Sequence, residues 1–453
     1  MNLIKLYNTL SRQKEEFKPI KKGEVSMYSC GPTVYDTPHI GNYRTFVMND
    51  IVRRAFEYVG YGMNQVMNIT DVDDKTIKKS HEEKVKLKIV TTKYEKMFLE
   101  GLQSLNIILP EHLLRASENI EEMIELVDVL LKKGVAYTAS DGIYLSIAKV
   151  KNYGELTGSH FAETSGKERI ANDEYDKENP GDFVLWKFKT TEDGEVSWKS
   201  RFGEGRPGWH IECSAMAMKI LGSTIDIHTG GSDLIFPHHT NEIAQSESAT
   251  GVRFVNYWLH GGFMNIKEEK MSKSKHNIIR LDDLLDKSIS PLSYRYWLLT
   301  AHYRSLVNFS YEAVEAAQNA LIRFIATVAS FPEGGKIINS YQEQFETFIS
   351  DDFDTPKAIA LAWELLKDAN HVPADKRATI LDFDIVFGLE IAKVKKVEEQ
   401  HIPEEVVVLA EAREQARLNK DWKKADALRV EIEGRGFEIN DTDQGFKLKS
   451  KNA

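Results

Sequence analysis

Residues 30–45 read CGPTVYDTPHIGNYRT and separate a predicted strand from a predicted helix. The β-branched, apolar and aromatic residues at 25–30 favour a short strand, and apolar residues recur at helical spacing over 46–59 until Gly60 stops the helix. A second strand-like segment follows at 63–69, so the order strand, loop, helix, strand predicts a right-handed parallel crossover. In folds of this kind, ligands bind beyond the carboxyl ends of the strands, where the loop meets the helix N-terminus.

The loop of this crossover carries residues that suit a nucleotide. Gly41 lets an adenine ring approach the backbone, and His39 and Asn42 can donate hydrogen bonds to phosphate oxygens without adding a large fixed charge. By themselves, the four letters HIGN more often mark a tight turn with one hydrogen-bonded histidine. The interpretation therefore depends on a second signal elsewhere in the chain.

The composition predicts an ordinary globular protein, with 453 residues, 42% of them hydrophobic and 28% charged, enough for two to four domains. A cytoplasmic location is expected, because no apolar run approaches the ~20 residues that span a bilayer and no signal-peptide pattern opens the chain. The net charge of −10 argues against indiscriminate nucleic-acid binding, but it is compatible with one RNA partner on a local basic face. The two cysteines, Cys30 and Cys213, are expected to stay reduced.

Changes of texture along the chain predict an α/β protein of four regions. A Rossmann-like domain with a doubly wound parallel sheet occupies 1–265, and a connective insertion of hairpin-like and charge-rich segments interrupts it over about 135–206. Before the insertion, a helix is expected over 117–134 with Ser117 as its N-cap. A charged loop and the segment after it occupy 266–310. An all-helical bundle follows over 311–400, and a small C-terminal domain over 401–453.

A zinc site is predicted from four residues that come from three strand-end segments: Cys30, Cys213, His238 and Glu242. The i, i+4 spacing of His238 and Glu242 places them on the same side of one helix. Two thiolates, one imidazole and one carboxylate suit Zn²⁺, and all three segments point toward the same crevice of a parallel sheet. His239 and His210 are rival ligands.

A phosphate site is predicted where the HIGN loop meets the charged loop at 267–277, which contains KMSKS. Its donors come from a helix N-terminus and from two lysines of the loop: His39, Asn42, Lys270 and Lys273. Such a loop can close over a triphosphate and stabilise charge on a pyrophosphate leaving group. Taken alone, KMSKS is also compatible with a solvated charged loop, whereas its combination with HIGN favours nucleotide chemistry.

HIGN at 39–42 and KMSKS at 270–274 resemble the two signatures of class I aminoacyl-tRNA synthetases. Four longer segments resemble the cysteine-specific synthetases within that class: CGPTVYDTPHIGN, TDVDDK, GWHIECSAM and GGSDLIFPHH. The resemblance runs over essentially the whole chain. It implies that the catalytic domain is followed by a stem-contact region at 266–310, a tRNA-binding bundle at 311–400 and an anticodon-binding domain at 401–453.

The resemblance also implies roles for individual residues. The zinc held by the four predicted ligands would bind the thiolate of the substrate L-cysteine. The amino acid would be surrounded by Gly31, Thr70, Trp209, His210 and Asp233. ATP, accompanied by Mg²⁺, would be bound by Thr33, His39, Gly41, Asn42, Lys270 and Lys273. The product would be cysteinyl-tRNA(Cys), formed through cysteinyl-adenylate, and the enzyme is expected to be a monomer.

Two alternative functions stay open at this point. One is a ligase that activates cysteine but joins it to a small amine, and the other is a zinc-stabilised RNA-binding protein without catalysis. A basic run near the C-terminus favours tRNA, although it is also compatible with a solvated helix: Arg413, Arg417, Lys420, Lys423, Lys424 and Arg429. The chain departs from the family pattern at Thr240, at Asp354 and at 445–448, where an expected tryptophan is missing.

Overall fold

The computed structural model describes residues 3–160, 181–266, 269–270, 278–393, 403–442 and 445–450. The chain divides into two compact units, Met1–Lys393 and Val394–Ala453. The boundaries of the four regions expected from the sequence stay a prediction.

The strands are β1 Lys5–Asn8, β2 Gln13–Glu16, β3 Glu24–Ser29, β4 Gly62–Ile69, β5 His112–Arg115, β6 Ala136–Thr138, β7 Gly142–Leu145, β8 Phe183–Phe188, β9 Gly205–Pro207, β10 Ile225–Gly231, β11 Val255–Gly261, β12 Met264–Ile266, β13 Glu269–Lys270, β14 Val307–Phe309, β15 Phe437–Thr442 and β16 Gly445–Ser450. The helices are α1 Ile40–Tyr58, α2 Asp74–Glu83, α3 Leu87–Ser104, α4 Ile120–Lys132, α5 Trp209–Leu221, α6 Thr240–Thr250, α7 Leu281–Leu285, α8 Pro291–Leu299, α9 Tyr311–Ser330, α10 Asn339–Ser350, α11 Thr355–Lys367, α12 Pro373–Phe387, α13 Glu404–Leu418 and α14 Trp422–Gly434.

The central sheet is parallel and has the strand order β11-β10-β3-β4-β5. From β3 the chain proceeds through α1 to the adjacent β4, which confirms the predicted crossover. The second half of the domain adds β10 and β11 on the other side of β3. The order therefore reverses between β3 and β10, and a crevice for ligands opens at the carboxyl ends of these two strands.

Helix α1 is held in place by its apolar face, where Val52 and Phe56 are fully buried. Burial of each such side chain stabilises the fold by roughly 1.5–3 kcal/mol. The helix ends two residues before Gly60, whose positive φ of 95° favours glycine because an L side chain is strained there. The sequence prediction that Gly60 stops this helix is confirmed.

The insertion builds a separate antiparallel sheet with the order β6-β7-β8-β9. The predicted hairpin of β6 and β7 is confirmed, and α4 packs its apolar face on this sheet through residues such as Met123 and Val127. The prediction that Ser117 caps α4 is wrong, because the helix begins at Ile120. Ser117 instead donates its N–H and hydroxyl to Asp71, at 2.9 and 2.5 Å.

The acidic TDVDDK segment connects the central sheet to the insertion. Asp73 caps α2 by accepting a hydrogen bond from the N–H of Lys75. Asp74 accepts hydrogen bonds from Lys187 on β8 and from Arg206 on β9. The segment is therefore more than a solvated acidic turn, since all three of its carboxylates, including that of Asp71, accept hydrogen bonds from defined partners.

A buried ion cluster connects α1 to the helices that follow the sheet. Arg295 on α8 is fully buried and donates to Asp50 at 2.5 Å, to the carbonyl of Phe387 at 2.6 Å and to that of Leu105 at 3.0 Å. Arg54 donates to the same Asp50 carboxylate at 2.7 Å.

Within the described ranges, no helix combines the length and hydropathy that crossing a membrane requires.

The second unit consists of α13, α14 and the hairpin β15–β16, around a small core of Val406, Ala410, Ile432 and Ile439. Arg413 of the predicted basic run is buried here and forms an ion pair with Asp441 at 2.7 Å. Arg417 contacts the same carboxylate. These two arginines thus serve the unit's own packing, a role that neither the tRNA-binding nor the solvated-helix interpretation of the basic run predicts.

Candidate functional site

The four predicted zinc ligands lie together at the point where the strand order reverses. Cys30 follows the last residue of β3, Cys213 lies in the second turn of α5, and His238 and Glu242 flank the start of α6. All four side chains are buried. The helix expected from Pro237 begins at Thr240, but His238 and Glu242 nevertheless face each other.

The ligand atoms of these residues all lie within 4.8 Å of one another. The Sγ atoms of Cys30 and Cys213 are 3.9 Å apart, and Cys30 Sγ lies 3.8 Å from Glu242 Oε1. The Nε2 atom of His238 is 3.0 Å from the same carboxylate oxygen. Tetrahedral zinc with bonds of about 2.0–2.3 Å separates its ligand atoms by roughly 3.3–3.8 Å, so this donor set fits the metal.

The charges in the cluster are set by mutual contacts as well as by burial. Burial acts to raise the pKa of Glu242, but the imidazoles of His228 and His238 outweigh it and hold the pKa to about 2. Burial acts to lower the pKa of His238, whereas Cys213 and Glu242 raise that pKa to about 10. Burial raises the pKa of Cys30. These contacts keep Glu242 anionic beside a protonated His238 and keep Cys30 a thiol, so a bound metal would take the place of protons on its ligands, which bind it as neutral imidazole and thiolate.

A second, overlapping set of candidate ligands is present among the described residues: Cys30, His228, His239 and Glu242. The Nε2 atom of His239 lies 3.4 Å from Cys30 Sγ, and that of His228 lies 2.9 Å from Glu242 Oε2. His239, a rival in the sequence analysis, is thus brought into range. His210 is not in either set, and its Nδ1 contacts His238 Nδ1 at 2.8 Å.

Of the residues expected around the amino acid, Trp209 and His210 contact the candidate ligand His238, and the other three lie at the carboxyl ends of neighbouring strands. The Trp209 ring stacks on the His238 ring with centroids 4.2 Å apart, and it is partly open to solvent. Gly31 and Thr70 lie at the adjacent ends of β3 and β4, where Thr70 also pairs with Thr33. Asp233 follows β10 and lies against Gly231. The site thus has a buried metal-ligand floor and one aromatic side chain at its edge.

The HIGN motif forms the N-terminus of α1. His39 caps this helix by accepting a hydrogen bond at Nδ1 from the N–H of Asn42, and Asn42 Oδ1 accepts one from the N–H of His39, both at 3.1 Å. This reciprocal capping fixes both side chains at the end of the helix that attracts anions. Gly41 lies in the same first turn.

The segment that contains KMSKS is flanked by described residues close to HIGN. Lys270 is the last residue of β13 and pairs with Asn265 on β12. On the other flank, the carbonyl of Ile279 accepts a hydrogen bond from the N–H of Ile40, and Arg280 forms a bridge with His39. Lys273 and the Lys270 side chain lie outside the described residues.

Comparison with known proteins follows from this geometry. A family model described as the tRNA synthetases class I (C) catalytic domain matches residues 16–319. Cysteine–tRNA ligase of Methanosarcina acetivorans is 44% identical to this chain, and the match covers 99% of each protein. Cysteine–tRNA ligase of Protochlamydia amoebophila is 41% identical, and the match covers 99% of this chain and 98% of the relative. The chain belongs to the cysteine–tRNA ligase family. It is a ligase that forms aminoacyl-tRNA, and ATP binding follows from the family.

Solved structures of other class I synthetases share the fold of this family member. Methionyl-tRNA synthetase of Mycobacterium tuberculosis, in complex with methionyl-adenylate, covers 81% of this chain with 90% of its own, at a TM-score of 0.56 and 14% identity. Agrobacterium radiobacter K84 AgnB2 LeuRS, in a ternary complex with tRNA and LeuAMS, gives a TM-score of 0.57 at 10% identity, over 83% of this chain and 85% of its own. At these identities the likeness concerns the fold alone.

In this family member, the sequence analysis missed a buried hydrogen-bond network that connects the two cysteine-bearing segments. Asn68 accepts from the N–H of Gly31 at 2.8 Å and donates to Thr70 Oγ1 at 3.1 Å. Thr70 Oγ1 donates to Glu212 at 2.8 Å. The signal was present in the polar Asn68 near the end of the predicted strand, since buried amides require partners.

Two departures from the family pattern have simple explanations in this member. Asp354 caps α11 by accepting from the N–H of Lys357 at 3.2 Å, a role that aspartate and asparagine fill equally well. Thr240 is buried, and its hydroxyl donates to the carbonyl of Ile235 at 2.7 Å. Neither substitution removes a candidate metal ligand.

Proposed function

We propose that this protein activates L-cysteine with ATP and then transfers the cysteinyl group to the 3′ end of tRNA(Cys), with Zn²⁺ selecting the substrate by its thiolate. The observation that carries the proposal is the buried cluster of two cysteines, a histidine and a glutamate beside the N-terminus of α1. The names of the full-length relatives support the same overall reaction.

In the first step, a cysteine carboxylate oxygen bonds to the α-phosphorus of ATP. The bond from that phosphorus to the bridging oxygen breaks, and pyrophosphate leaves with the electron pair. In the second step, a ribose hydroxyl of the tRNA attacks the carbonyl carbon, AMP leaves with the electron pair, and the hydroxyl proton passes to solvent. Both steps depend chiefly on positioning and on stabilisation of phosphate charge.

The phosphate groups are assigned to the N-terminus of α1 and to the flanking lysines: His39, Asn42, Lys270 and Lys273. The reciprocal capping of His39 and Asn42 supports this assignment, because both side chains are already ordered at the N-terminus of α1. Binding of a phosphate there would therefore cost little additional side-chain entropy. Thr33 and Gly41 complete the ATP site. Mg²⁺ is expected to accompany the nucleotide.

The metal site is assigned to Cys30, Cys213, His238 and Glu242. When bound there, Zn²⁺ supplies a soft Lewis acid that favours a deprotonated thiol at neutral pH. Without such a contact, a pocket would separate cysteine from the near-isosteric serine by only about 10–200-fold. His228 on Glu242 and His210 on His238 orient two of these ligands from behind, as outer hydrogen-bond partners of metal sites commonly do.

The amino-acid pocket is assigned to residues that border the cluster: Gly31, Thr70, Trp209, His210 and Asp233. Their positions around the cluster and the ends of β3, β4 and β10 support the assignment. The C-terminal part of the chain is proposed to bind tRNA, with the remaining lysines of the basic run near RNA phosphates. The monomeric state and the cytoplasmic location stay predictions.

Cysteine-dependent exchange of pyrophosphate into ATP tests the first step. The wild type is expected to show exchange with cysteine, little with serine, and no requirement for tRNA. The His238→Ala variant should lose both zinc and exchange, whereas His81→Ala, which alters an exposed histidine, should retain them. Absence of exchange with any amino acid in zinc-replete wild type would refute the proposal and favour a non-catalytic RNA-binding protein.

Cobalt substitution distinguishes the two sets of candidate ligands. The proposed set has two thiolates, whereas the overlapping set has one. The thiolate-to-cobalt charge-transfer band of the Cys213→Ser variant should therefore fall to about half of the wild-type intensity. An unchanged band would assign the metal to the set with His228 and His239 instead.

A further inference from the structure

Arg44 connects the first turns of α1 to the base of the hairpin that carries Lys270. Its guanidinium donates to the carbonyls of Phe263 and Ser305 and, at 3.3 Å, to that of Tyr303. The side chain is buried. Within the described part of the chain, the Arg44 guanidinium therefore donates only to main-chain carbonyls of another segment. Because Arg44 lies two residues after Asn42 on α1, these hydrogen bonds fix that segment relative to the HIGN turn.

Tyr294 on α8 makes a second connection between the same two segments. Its hydroxyl donates to the carbonyl of Ile40, in the first turn of α1, at 2.8 Å, and lies 3.9 Å from the sulfur of Met264, the first residue of β12. The side chain is fully buried. Arg44 and Tyr294 therefore contact both the α1 turn and the beginning of β12, from different directions.

The β12–β13 hairpin connects these contacts to Lys270, the first residue of KMSKS. Phe263 is the residue before β12. Its carbonyl accepts hydrogen bonds from Arg44 and from the N–H of Val307. β12 then pairs with β13 through Asn265 and Lys270. A displacement at Phe263 would therefore move the backbone of Lys270 relative to His39.

We propose that Arg44 and Tyr294 are positioning residues for the adenylation step, which hold the base of the β12–β13 hairpin against the HIGN turn. This inference rests on the proposed function, in which both signatures act on one triphosphate. The groups on a catalytic loop act at full rate only if the base of the loop is fixed in place, because a misplacement of about 1 Å can cost on the order of 100-fold in rate.

Arginine is required at position 44 because its planar fork reaches several carbonyls at fixed angles. A lysine offers one ammonium on a flexible stem and cannot reproduce that geometry. Burial lowers the pKa of Arg44 to about 10, so the side chain is still a cation at neutral pH. The Arg44→Lys variant therefore keeps the charge and removes the positioning.

The test compares two variants with matched controls on the same helices. Arg44→Lys is paired with Arg54→Lys, since Arg54 is also buried on α1 but donates to Asp50, Asn106 and Ile385 instead of the hairpin. Tyr294→Phe is the milder change. Its control is Tyr296→Phe on α8, which loses one buried hydrogen bond from Trp363.

Three quantities are measured for each protein: zinc content, kcat and KM in cysteine-dependent pyrophosphate exchange, and the rate of transfer to tRNA from preformed enzyme-bound cysteinyl-adenylate. Arg44→Lys should lose about 100-fold in the kcat of exchange. Tyr294→Phe should lose less. In both variants the zinc content, the KM for cysteine and the transfer rate should stay within about twofold of wild type, and the controls should retain their kcat.

Other outcomes overturn the inference. Exchange within about twofold of wild type in Arg44→Lys would show that the contact does not position the hairpin. Equal losses in exchange and transfer, or the same loss in Arg54→Lys, would indicate general destabilisation. If the wild type itself shows no exchange, the proposed function fails and the inference fails with it, whereas normal wild-type exchange confines any failure to the inference.

Discussion

Gly31 is a position where even a methyl side chain would force a large local displacement. An added Cβ would lie 1.6 Å from the carbonyl oxygen of Asn68 and 2.8 Å from its carbonyl carbon. Both atoms belong to the backbone of β4, an interior strand of the central sheet, which cannot rotate away. The Gly31→Ala variant must therefore move the segment that follows β3, and Cys30 is its immediate neighbour.

The magnitude follows from these distances. To reach even 3.0 Å, below which Cβ contacts are essentially never found, Gly31 must shift by at least about 1.4 Å. Zinc ligands tolerate deviations of only about 0.2 Å, so a comparable shift at Cys30 disrupts the metal geometry. The shift also breaks the hydrogen bond from Gly31 to Asn68. Zinc affinity and cysteine-dependent exchange are each expected to fall by at least about 10–100-fold.

The assay combines competition for zinc with a chromogenic chelator and pyrophosphate exchange as a function of cysteine. Gly62→Ala is the matched control, because a Cβ at Gly62, where β4 begins, would meet no atom closer than 3.7 Å. It should behave like wild type. Zinc affinity and a KM for cysteine within about twofold of wild type in Gly31→Ala would refute the steric reasoning.

Three further predictions concern stability and the metal. Arg295→Met should lower the free energy of unfolding by about 3–5 kcal/mol. The cause is that buried carbonyls lose their hydrogen bonds and the ion cluster around Asp50 is weakened. Denaturant titrations measure this loss, and a value below about 1 kcal/mol would contradict the reasoning. Burial acts to raise the pKa of Asp74, but Arg206 and Lys187 hold this pKa below its ordinary value of 3.8. The stabilisation is therefore present above 3.8 and is lost as the pH falls from that value through the lower pKa of the folded protein. Asp74→Asn should therefore cost about 1 kcal/mol at pH 7, since Asp74 is more than half exposed and solvent screens the pairs, and the difference should shrink as the pH falls below 4; a constant difference would argue against the pairing. Removal of the metal with a chelator should abolish exchange and added Zn²⁺ should restore it, whereas full exchange by metal-free protein would exclude the proposed zinc role.

Much of the fold around the site was predictable because the relevant signals are local. The apolar alternation of β3 and β4, the helical periodicity of α1 and the positive φ at Gly60 depend on residues close together in the chain. The parallel order then follows from the handedness of crossovers. This is why the crossover that presents HIGN was predicted from the sequence and is confirmed.

The errors and omissions arise where a side chain has a partner far away in the sequence. Ser117 has the chemistry of a helix cap, but Asp71, 46 residues away, takes its hydrogen bonds. Arg413 appeared available for RNA and is instead buried against Asp441. Local propensity is weak compared with a buried charge-assisted hydrogen bond, so tertiary contacts decide such positions.

The candidate site shows the same division. The residue types and spacings of Cys30, Cys213, His238 and Glu242, together with the resemblance to a known family, were sufficient to propose a zinc site from the sequence. Only the folded chain shows that His228 and His239 compete within the same few ångströms, and that Asn68 connects Gly31 to Thr70. A linear pattern encodes which donors are present, whereas the distances among donors from separate strands are set by how the sheet and its helices pack.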